Sequence, residues 1–324
     1  MKNAEPYRRI GSGMRANILK YLAVALLASA PLALHAQSGE ETVSKYTRKG
    51  ADTCLSCHED AAALAIFATA HAVPLDPRSP FGHGQLQCEA CHGPGDTHAG
   101  RVRRGAERPP LIYFNERDNT AVEVENSMCM DCHASDVGIG WHAGAHAFDE
   151  VSCADCHQSH ARVDAVTQTS TQAEVCAACH QLQKNETLKA FAHPLFEEKM
   201  SCTACHGMHG DTVAAQLARV TLNDTCYQCH ADKRGPYLWE HAPVSEDCGL
   251  CHAPHGSNHP GMLTQRAPLL CQGCHSQDGH PSVAYEDDGL ASAMPSRYLL
   301  AQGCMNCHSQ VHGSNHPSGT KLTR

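Results

Sequence analysis

Aromatic residues are scarce in this chain: they make up 5% of its 324 residues. That share is small for a protein of two ordinary domains that would bury large hydrophobic cores of its own side chains. After residue 36 the sequence also lacks any apolar run long enough to cross a bilayer as a helix, and its mean hydropathy is −0.38. We therefore expect a mature chain that is soluble or sheltered, with a core that its aromatic side chains do not supply.

Basic residues are also fewer than acidic residues. The 34 Asp and Glu residues outnumber the 25 Lys and Arg residues, which gives a formal net charge of −9 at pH 7. Because phosphate backbones repel an acidic chain, we expect no nucleic acid partner. The negative charge could steer the chain towards basic partner cytochromes, although ordinary solubility accounts for it equally well.

The N-terminus has the features of an export signal. Four basic residues, Arg8, Arg9, Arg15 and Lys20, precede an apolar stretch at 21–34, and a small residue, Ala36, stands at the predicted cleavage site. The stretch is too short to span a bilayer. No apolar run follows the arginine pair directly, which favours general secretion over twin-arginine export. We predict a cleaved signal peptide at 1–36 and a mature chain at 37–324. Losing five basic residues and one acidic residue would change the net charge from −9 to −13.

No cysteine lies outside a single motif. All 20 cysteines belong to ten copies of Cys-x-x-Cys-His, in which two thiols can bond the vinyl groups of one haem and the histidine can bind its iron. We therefore predict ten copies of haem c. The predicted thioether residues are Cys54, Cys57, Cys88, Cys91, Cys129, Cys132, Cys153, Cys156, Cys176, Cys179, Cys202, Cys205, Cys226, Cys229, Cys248, Cys251, Cys271, Cys274, Cys304 and Cys307. The predicted proximal iron ligands are His58, His92, His133, His157, His180, His206, His230, His252, His275 and His308.

Structural zinc and disulfide bonds are the competing interpretations of paired cysteines at this spacing. Neither needs a histidine directly after every second cysteine, whereas all ten copies have one. Covalent haem attachment is therefore the favoured interpretation of the paired cysteines. Flat, apolar porphyrins would also supply the missing core, so the predicted fold is a mainly α or irregular multihaem cytochrome, with short helices and turns around the haems and little β structure.

When the motifs are grouped in consecutive pairs, a longer repeat appears. Each repeat, here called a unit, contains two motifs and two free histidines, that is, histidines outside the motifs. The first free histidine keeps a near-constant distance from the motif before it: His71, His146 and His193 each follow a motif histidine by 13 residues, and His241 follows by 11. The fifth unit departs from this, since His280 follows His275 by only five residues.

The second free histidine usually stands three residues after the even-numbered motif, as at His160, His209 and His255, with looser versions at His98 and His312. Residues three apart project from one side of a helix or turn, so such a pair cannot bind one iron from opposite faces. The trailing histidine should serve a neighbouring haem. The predicted distal iron ligands are His71, His98, His146, His160, His193, His209, His241, His255, His280 and His312. His83, His142, His259 and His316 are not needed as ligands in this assignment. Two alternatives stay open: His83 could replace His71 as a distal ligand, and His142 could replace His146.

Methionine is the rival distal ligand, but Met128, Met130 and Met305 stand beside or inside motifs, where they are poorly placed for the far face of their own haem. Ten bis-histidine, low-spin haems leave no vacant iron position for a substrate. The multihaem nitrite reductases usually mark the catalytic haem with Cys-x-x-Cys-Lys, and this motif does not occur here. We therefore predict an electron carrier without catalytic residues, and a multihaem reductase is the enzymatic alternative.

Longer helices are predicted at 61–70, 183–192 and 212–220, and the attachment motifs are expected on short helices, as at 173–180. The segment 101–118 is a basic loop with prolines between the second and third motifs. It is interpreted as a solvated insertion, with contact to a partner as the alternative.

Three runs carry a family resemblance: CEACHGPGDTH at 88–98, CGLCHAPHGSNHP at 248–260 and GCMNCHSQVHGSNHPSG at 303–319. With the paired register, they resemble the MtrA/DmsE family of exported decahaem cytochromes over nearly the whole mature chain. The resemblance implies an electron wire inside an outer-membrane β-barrel, an MtrB-like porin. It also implies two pentahaem halves, here about 37–190 and 191–324, although the third two-haem unit straddles that midpoint.

By the same resemblance, the wire would pass electrons between periplasmic carriers and an extracellular cytochrome or acceptor, in metal reduction or Fe(II) oxidation. A polar chain that carries haem cannot face lipid, and a closed barrel whose backbone hydrogen bonds are satisfied would insulate it. The resemblance also suggests that the first haems lie on the periplasmic side and the haem of Cys304 nearest the outside. The alternative is a soluble periplasmic multihaem shuttle to a terminal reductase.

Overall fold

The computed structural model describes residues 44–115, 120–210, 216–275 and 303–323. The predicted signal peptide and His280 lie outside these residues. The helices are short. In the described residues they are α1 Ala51–Leu55, α2 Ala61–Ala65, α3 Glu89–His92, α4 Asp96–Ala99, α5 Val122–Val137, α6 Ala145–Phe148, α7 Cys153–Cys156, α8 Thr169–Ala177, α9 Gln181–Thr187, α10 Leu222–Cys226, α11 Ala242–Glu246 and α12 Ala267–Gln272.

Single 3-10 turns fill many of the gaps between these helices. They occur at Ile66–Ala68, Ala70–Ala72, Ile139–Ala143, Ala165–Thr167, Cys202–Ala204, Ala231–Lys233, Cys248–Leu250, Pro260–Met262, Cys304–Asn306 and Gly319–Lys321. The described residues contain no β-strand, only four isolated antiparallel bridges. The predicted fold class, mainly short helices and irregular structure with little β, is confirmed.

Each attachment motif closes one helical turn. In nine motifs the backbone N–H of the histidine donates to the carbonyl of the first cysteine at 2.8–3.0 Å, and the third motif lies inside α5. Local caps fix where some of these turns begin. Ser152 and Asp155 form a capping box at the start of α7, and the Thr221 hydroxyl accepts from the Asp224 N–H at the start of α10.

Two matching loops, HGSNHP at 255–260 and at 312–317, dock on earlier parts of the chain. Ser257 forms an antiparallel bridge with Phe191, and Ser314 forms one with Trp239. Gly313 has a φ of 123°, and a Cβ atom at this position would clash with the Tyr237 ring, so a glycine is required there. These bridges connect segments that are far apart in sequence.

The protein core formed by side chains alone is small. The buried hydrophobic residues are Ala51, Ile66, Trp141, Ala173, Ala177 and Leu322, and three of these six are alanines. More polar and charged residues than hydrophobic ones are buried in the described part of the chain. A core of this size matches the low aromatic content, because stability must then come from something else that the chain surrounds.

The longer helices predicted from the sequence are only partly present. The one predicted at 61–70 ends as a helix at Ala68, because Thr69 adopts extended backbone (φ −104°, ψ 170°), and His71 lies in a separate turn. The one predicted at 183–192 is α9, Gln181–Thr187. The one predicted at 212–220 lies partly outside the described residues, and its described part is not helical because Gln216 and Ala218 form backbone hydrogen bonds with the sixth motif.

Across the part of the chain that the structure describes, no helix is both long enough and apolar enough to cross a bilayer.

Candidate haem-binding sites

Nine motif histidines face a second histidine ring. The distance between the two ring centroids is 6.0–6.4 Å in every case, while the angle between the ring planes ranges from 13° to 90°. The pairs are His58–His98, His92–His160, His133–His71, His157–His209, His180–His146, His206–His255, His230–His193, His252–His312 and His275–His241.

This separation fits two imidazoles on opposite sides of one metal ion. A metal–imidazole bond measures about 2 Å, so the two ligating nitrogens stand about 4 Å apart and the ring centroids lie somewhat farther out. Direct ring packing accounts for the pairs less well, since packed aromatic rings vary in separation by about 2.5 Å. A constant distance combined with variable angles indicates a common spacer between the rings, and an iron porphyrin has the required dimension.

The second histidine of each pair is one of the predicted distal residues. His71 and His146 each occupy such a position opposite a motif histidine. Among the described pairs, His83 and His142 occupy none, and both rings lie at exposed positions. His280, the tenth predicted distal residue, lies outside the described residues.

The pairs follow a rule of exchange between two-motif units. Odd-numbered sites take their partner from the unit before, as when His193 of the third unit faces His230 of the fourth. Even-numbered sites take it from the unit after, as when His255 of the fourth unit faces His206 of the third. The first site is the exception, because it pairs with His98 of its own unit.

Consecutive motifs meet in two alternating ways. Within a unit the first cysteines lie close enough for their sulfur atoms to interact: Cys54–Cys88, Cys129–Cys153, Cys176–Cys202, Cys226–Cys248 and Cys271–Cys304. Between units the second cysteines are close enough to interact electrostatically: Cys91–Cys132, Cys156–Cys179, Cys205–Cys229 and Cys251–Cys274. Every motif thus neighbours the next, and the order of motifs in space is their order in the sequence.

Amide side chains of buried or half-buried residues, which the sequence analysis missed, hold the two motifs of a unit together. The Asn223 amide oxygen accepts from the Cys248 backbone N–H at 2.7 Å, and its amide nitrogen donates to the Val244 carbonyl at 3.0 Å. Asn126 makes the equivalent bond to the Cys153 N–H at 2.8 Å. Both asparagines stand three residues before the first cysteine of their unit, and this shared position was the available signal.

Where the hydrogen-bond partner of a paired histidine's Nδ1 is described, it is in most cases a backbone carbonyl oxygen, to which the ring donates. The Nδ1 contacts to carbonyl oxygens are His92 to Ile112, His98 to Pro109, His160 to Ala62, His193 to Pro254, His241 to Val311 and His252 to Gly261, at 2.7–3.0 Å. Three others contact carboxylates: His133 to Asp136 at 3.0 Å, His157 to Asp164 at 2.6 Å and His255 to Glu186 at 3.2 Å. An Nδ1–H bond leaves Nε2 as the atom available to bind iron.

Burial lowers the pKa of His71, His92 and His312, mainly because a charged ring loses its hydration there. The lowered pKa favours the neutral imidazole, which is the form that binds a metal. A continuous cavity of about 1970 Å³ runs past Cys91 of the second motif and past the cysteines and histidines of the third to the seventh motif. The described residues therefore combine thiols, paired histidine rings and connected space, and they fit covalent haem.

Comparisons with known proteins agree with this chemistry. A family defined by a doubled Cys-x-x-Cys-His motif matches residues 193–235 and 241–280, and the NrfB-like family of c-type cytochromes matches residues 88–173. The multiheme cytochrome MtrA of Shewanella baltica is 43% identical over 282 residues, which cover 86% of this chain and 83% of the relative. The cytochrome c-type protein NrfB of Haemophilus influenzae is 26% identical over 208 residues, which cover 56% of this chain and 89% of the relative.

The identity to MtrA extends over most of both chains. The chain accordingly binds haem c and is an electron carrier, not an enzyme. It belongs to the MtrA family of multihaem cytochromes.

Proposed function

We propose that this chain binds ten haems c in series and carries electrons across the outer membrane inside a β-barrel partner, between periplasmic carriers and an extracellular cytochrome or acceptor. The observation that carries the proposal is the exchange of facing histidines between neighbouring units, which links the five two-motif units into one series in sequence order. A series of this kind has two ends, and a conduit needs a donor at one end and an acceptor at the other.

In each site the two cysteines would hold the porphyrin, the motif histidine would be the proximal ligand, and the facing histidine would be the distal ligand. The haem supplies reversible one-electron chemistry. The chain would hold the haem through the two cysteines and would supply two histidines to its iron. For the tenth site we propose His280, which follows from the register of the sequence.

The barrel partner is supported by likeness to MtrA and by the polar character of the chain. A chain with 59 charged residues cannot face lipid, so an insulating wall must come from a second protein. Export through the signal at 1–36 would place haem attachment in the periplasm, and an MtrB-like porin would receive the folded cytochrome. Metal reduction and Fe(II) oxidation would differ only in the direction of electron flow.

The likeness to NrfB keeps a second function in view, a soluble periplasmic shuttle to a terminal reductase. Cell fractionation distinguishes the two. For a conduit, we expect the haem to stay with the outer membrane after osmotic shock and to purify in detergent with a barrel protein, and intact mass and haem content should then give ten haems per chain. Haem released entirely into the osmotic-shock fraction, without a partner, would contradict the conduit and support the shuttle.

A further inference from the structure

The three described carboxylate contacts to axial histidines all lie at interior sites of the series. They fall on the third, fourth and sixth sites, through Asp136, Asp164 and Glu186. Towards the two ends, the described axial histidines use backbone carbonyls, as His98 does at the first site and His241 at the ninth. The hydrogen bonds are alike in geometry, but only the carboxylates bring a full negative charge to the ring.

This charge affects the iron through the imidazole. A carboxylate that accepts the Nδ1–H draws the proton away from the ring, so the ligand becomes more basic and donates more strongly to iron. Stronger donation and a nearby negative charge both favour ferric over ferrous iron, because reduction removes one positive charge from the site. The affected haem is therefore harder to reduce.

The three contacts differ in strength. Asp164 lies 2.6 Å from the His157 nitrogen, a short charge-assisted bond, and its side chain is only 22% exposed. Glu186 is 31% exposed and lies 3.2 Å from His255, and its other carboxylate oxygen lies 3.7 Å from the Lys189 ammonium, which offsets part of its charge. Asp136 is 71% exposed, so water and salt screen its charge most. We expect the effect on the iron to be largest for Asp164, intermediate for Glu186 and smallest for Asp136.

We propose that Asp164 and Glu186 are positioning residues that lower the reduction potentials of the fourth and sixth haems, so that the interior of the series is harder to reduce than its ends. The proposal rests on the bis-histidine sites assigned above and does not depend on the barrel partner.

Such a profile gives the wire no preferred direction. An electron that enters from either end meets a rise in energy towards the interior and a fall beyond it. The haems near both ends accept electrons first, and passage through the interior limits the rate both ways. Direction is then set by the potentials of the partners at the two ends, and one chain could serve outward or inward transfer.

The test is a redox titration of the purified full-length holoprotein, followed by visible absorbance and electron paramagnetic resonance. In Asp164→Asn the amide oxygen can still accept a hydrogen bond from His157, but the charge is gone. We expect one low-potential component to move to higher potential while the others stay in place, and Glu186→Gln should move a second component. Glu197→Gln removes an exposed charge elsewhere and is the matched control.

Asp164→Ala separates charge from orientation, since it removes both the charge and the acceptor. If the alanine variant shifts one component and Asp164→Asn shifts none, the aspartate only orients the ring and the proposal is wrong. A shift of all components together, or one equal to that of Glu197→Gln, also overturns it. Failure of the bis-histidine assignment would appear separately, as a high-spin signal in the unaltered protein.

Discussion

The two kinds of contact between neighbouring motifs are built from different parts of the sequence. Within a unit, side chains such as Asn223 reach partners 21 to 25 residues away and hold the first cysteines together. Between units, free histidines reach 61 to 98 residues along the chain to hydrogen-bond partners such as Pro254 and Ala62. The first kind needs only polypeptide, whereas the second brings two rings to the nearly constant distance that a shared iron would require.

Assembly should follow the same division. A local contact closes a short loop at small entropic cost, so a unit can form its turns early. The exchange of histidines between units gains its energy from iron ligation, and it should form only where haem is already attached. The units are therefore linked into one series by the cofactors themselves.

The largest expected effect comes from removing one interior haem. Replacing both Cys176 and Cys179 with alanine should lower the mass by one haem and separate the fourth site from the sixth. We expect end-to-end electron transfer to be almost abolished, measured in vesicles that hold a reduced dye inside and ferric iron outside, with the complex inserted in the membrane. Removing the thiols of the terminal first motif, Cys54 and Cys57, is the matched control and should leave the remaining sites connected. Equal loss of transfer in both variants would mean that sequence order is not the path.

A smaller effect is expected from one histidine exchanged between units. His193→Ala should open an axial position on the haem of the seventh motif, because His230 would then be the sole protein ligand of that iron. Electron paramagnetic resonance should show one high-spin haem, and the other sites should stay low-spin. His142→Ala changes a spare, exposed histidine and should leave the spectrum unchanged. A high-spin signal from the His142 variant alone would reverse the assignment.

Contacts within a unit should affect stability without changing any ligand. Asn223→Ala leaves the Cys248 N–H without its acceptor, which should lower the free energy of unfolding by about 1–3 kcal/mol. Thermal unfolding should show a reduced Tm at unchanged haem content and an unchanged low-spin spectrum. Asn185→Ala, at an exposed position of α9, is the control and should have little effect. A changed spin state in the Asn223 variant would contradict a purely structural role.

The attachment motifs and the register of free histidines could be read from the sequence because both are local and repeated. His71, His146 and His193 keep a fixed distance from a motif, so a distance along the chain identifies them without knowledge of the fold. Their partners could not be assigned in this way. His71 faces His133 rather than His58, and this choice depends on how units lie against each other in space.

The asparagines that bond the second motif of a unit, and the carboxylates that contact the paired histidines, were missed for a different reason. Asparagine before a cysteine, or an acidic residue after a histidine, is ordinary at a protein surface, and only the folded chain brings Asn223 to Cys248 or Glu186 to His255. The helix predicted at 61–70 failed where Thr69 takes extended backbone to start the turn that holds His71. Ligand placement there outweighs helix propensity.

The smallest expected effect, and the sharpest test of the exchange rule, concerns the last site. At the first site the rule does not hold, and His98 of the same unit takes the position. If the tenth site follows the pattern of the first, the free histidine of its own unit, His280, should serve the tenth haem. His280→Met should raise the potential of a single haem, because methionine ligation raises the potential of a cytochrome haem, and should leave the total haem content unchanged. His316→Met alters a spare, exposed histidine of the same unit and should change no potential. If the His316 variant shifts the potential of one haem and the His280 variant shifts none, His280 is not the distal ligand of the tenth haem and the prediction is wrong.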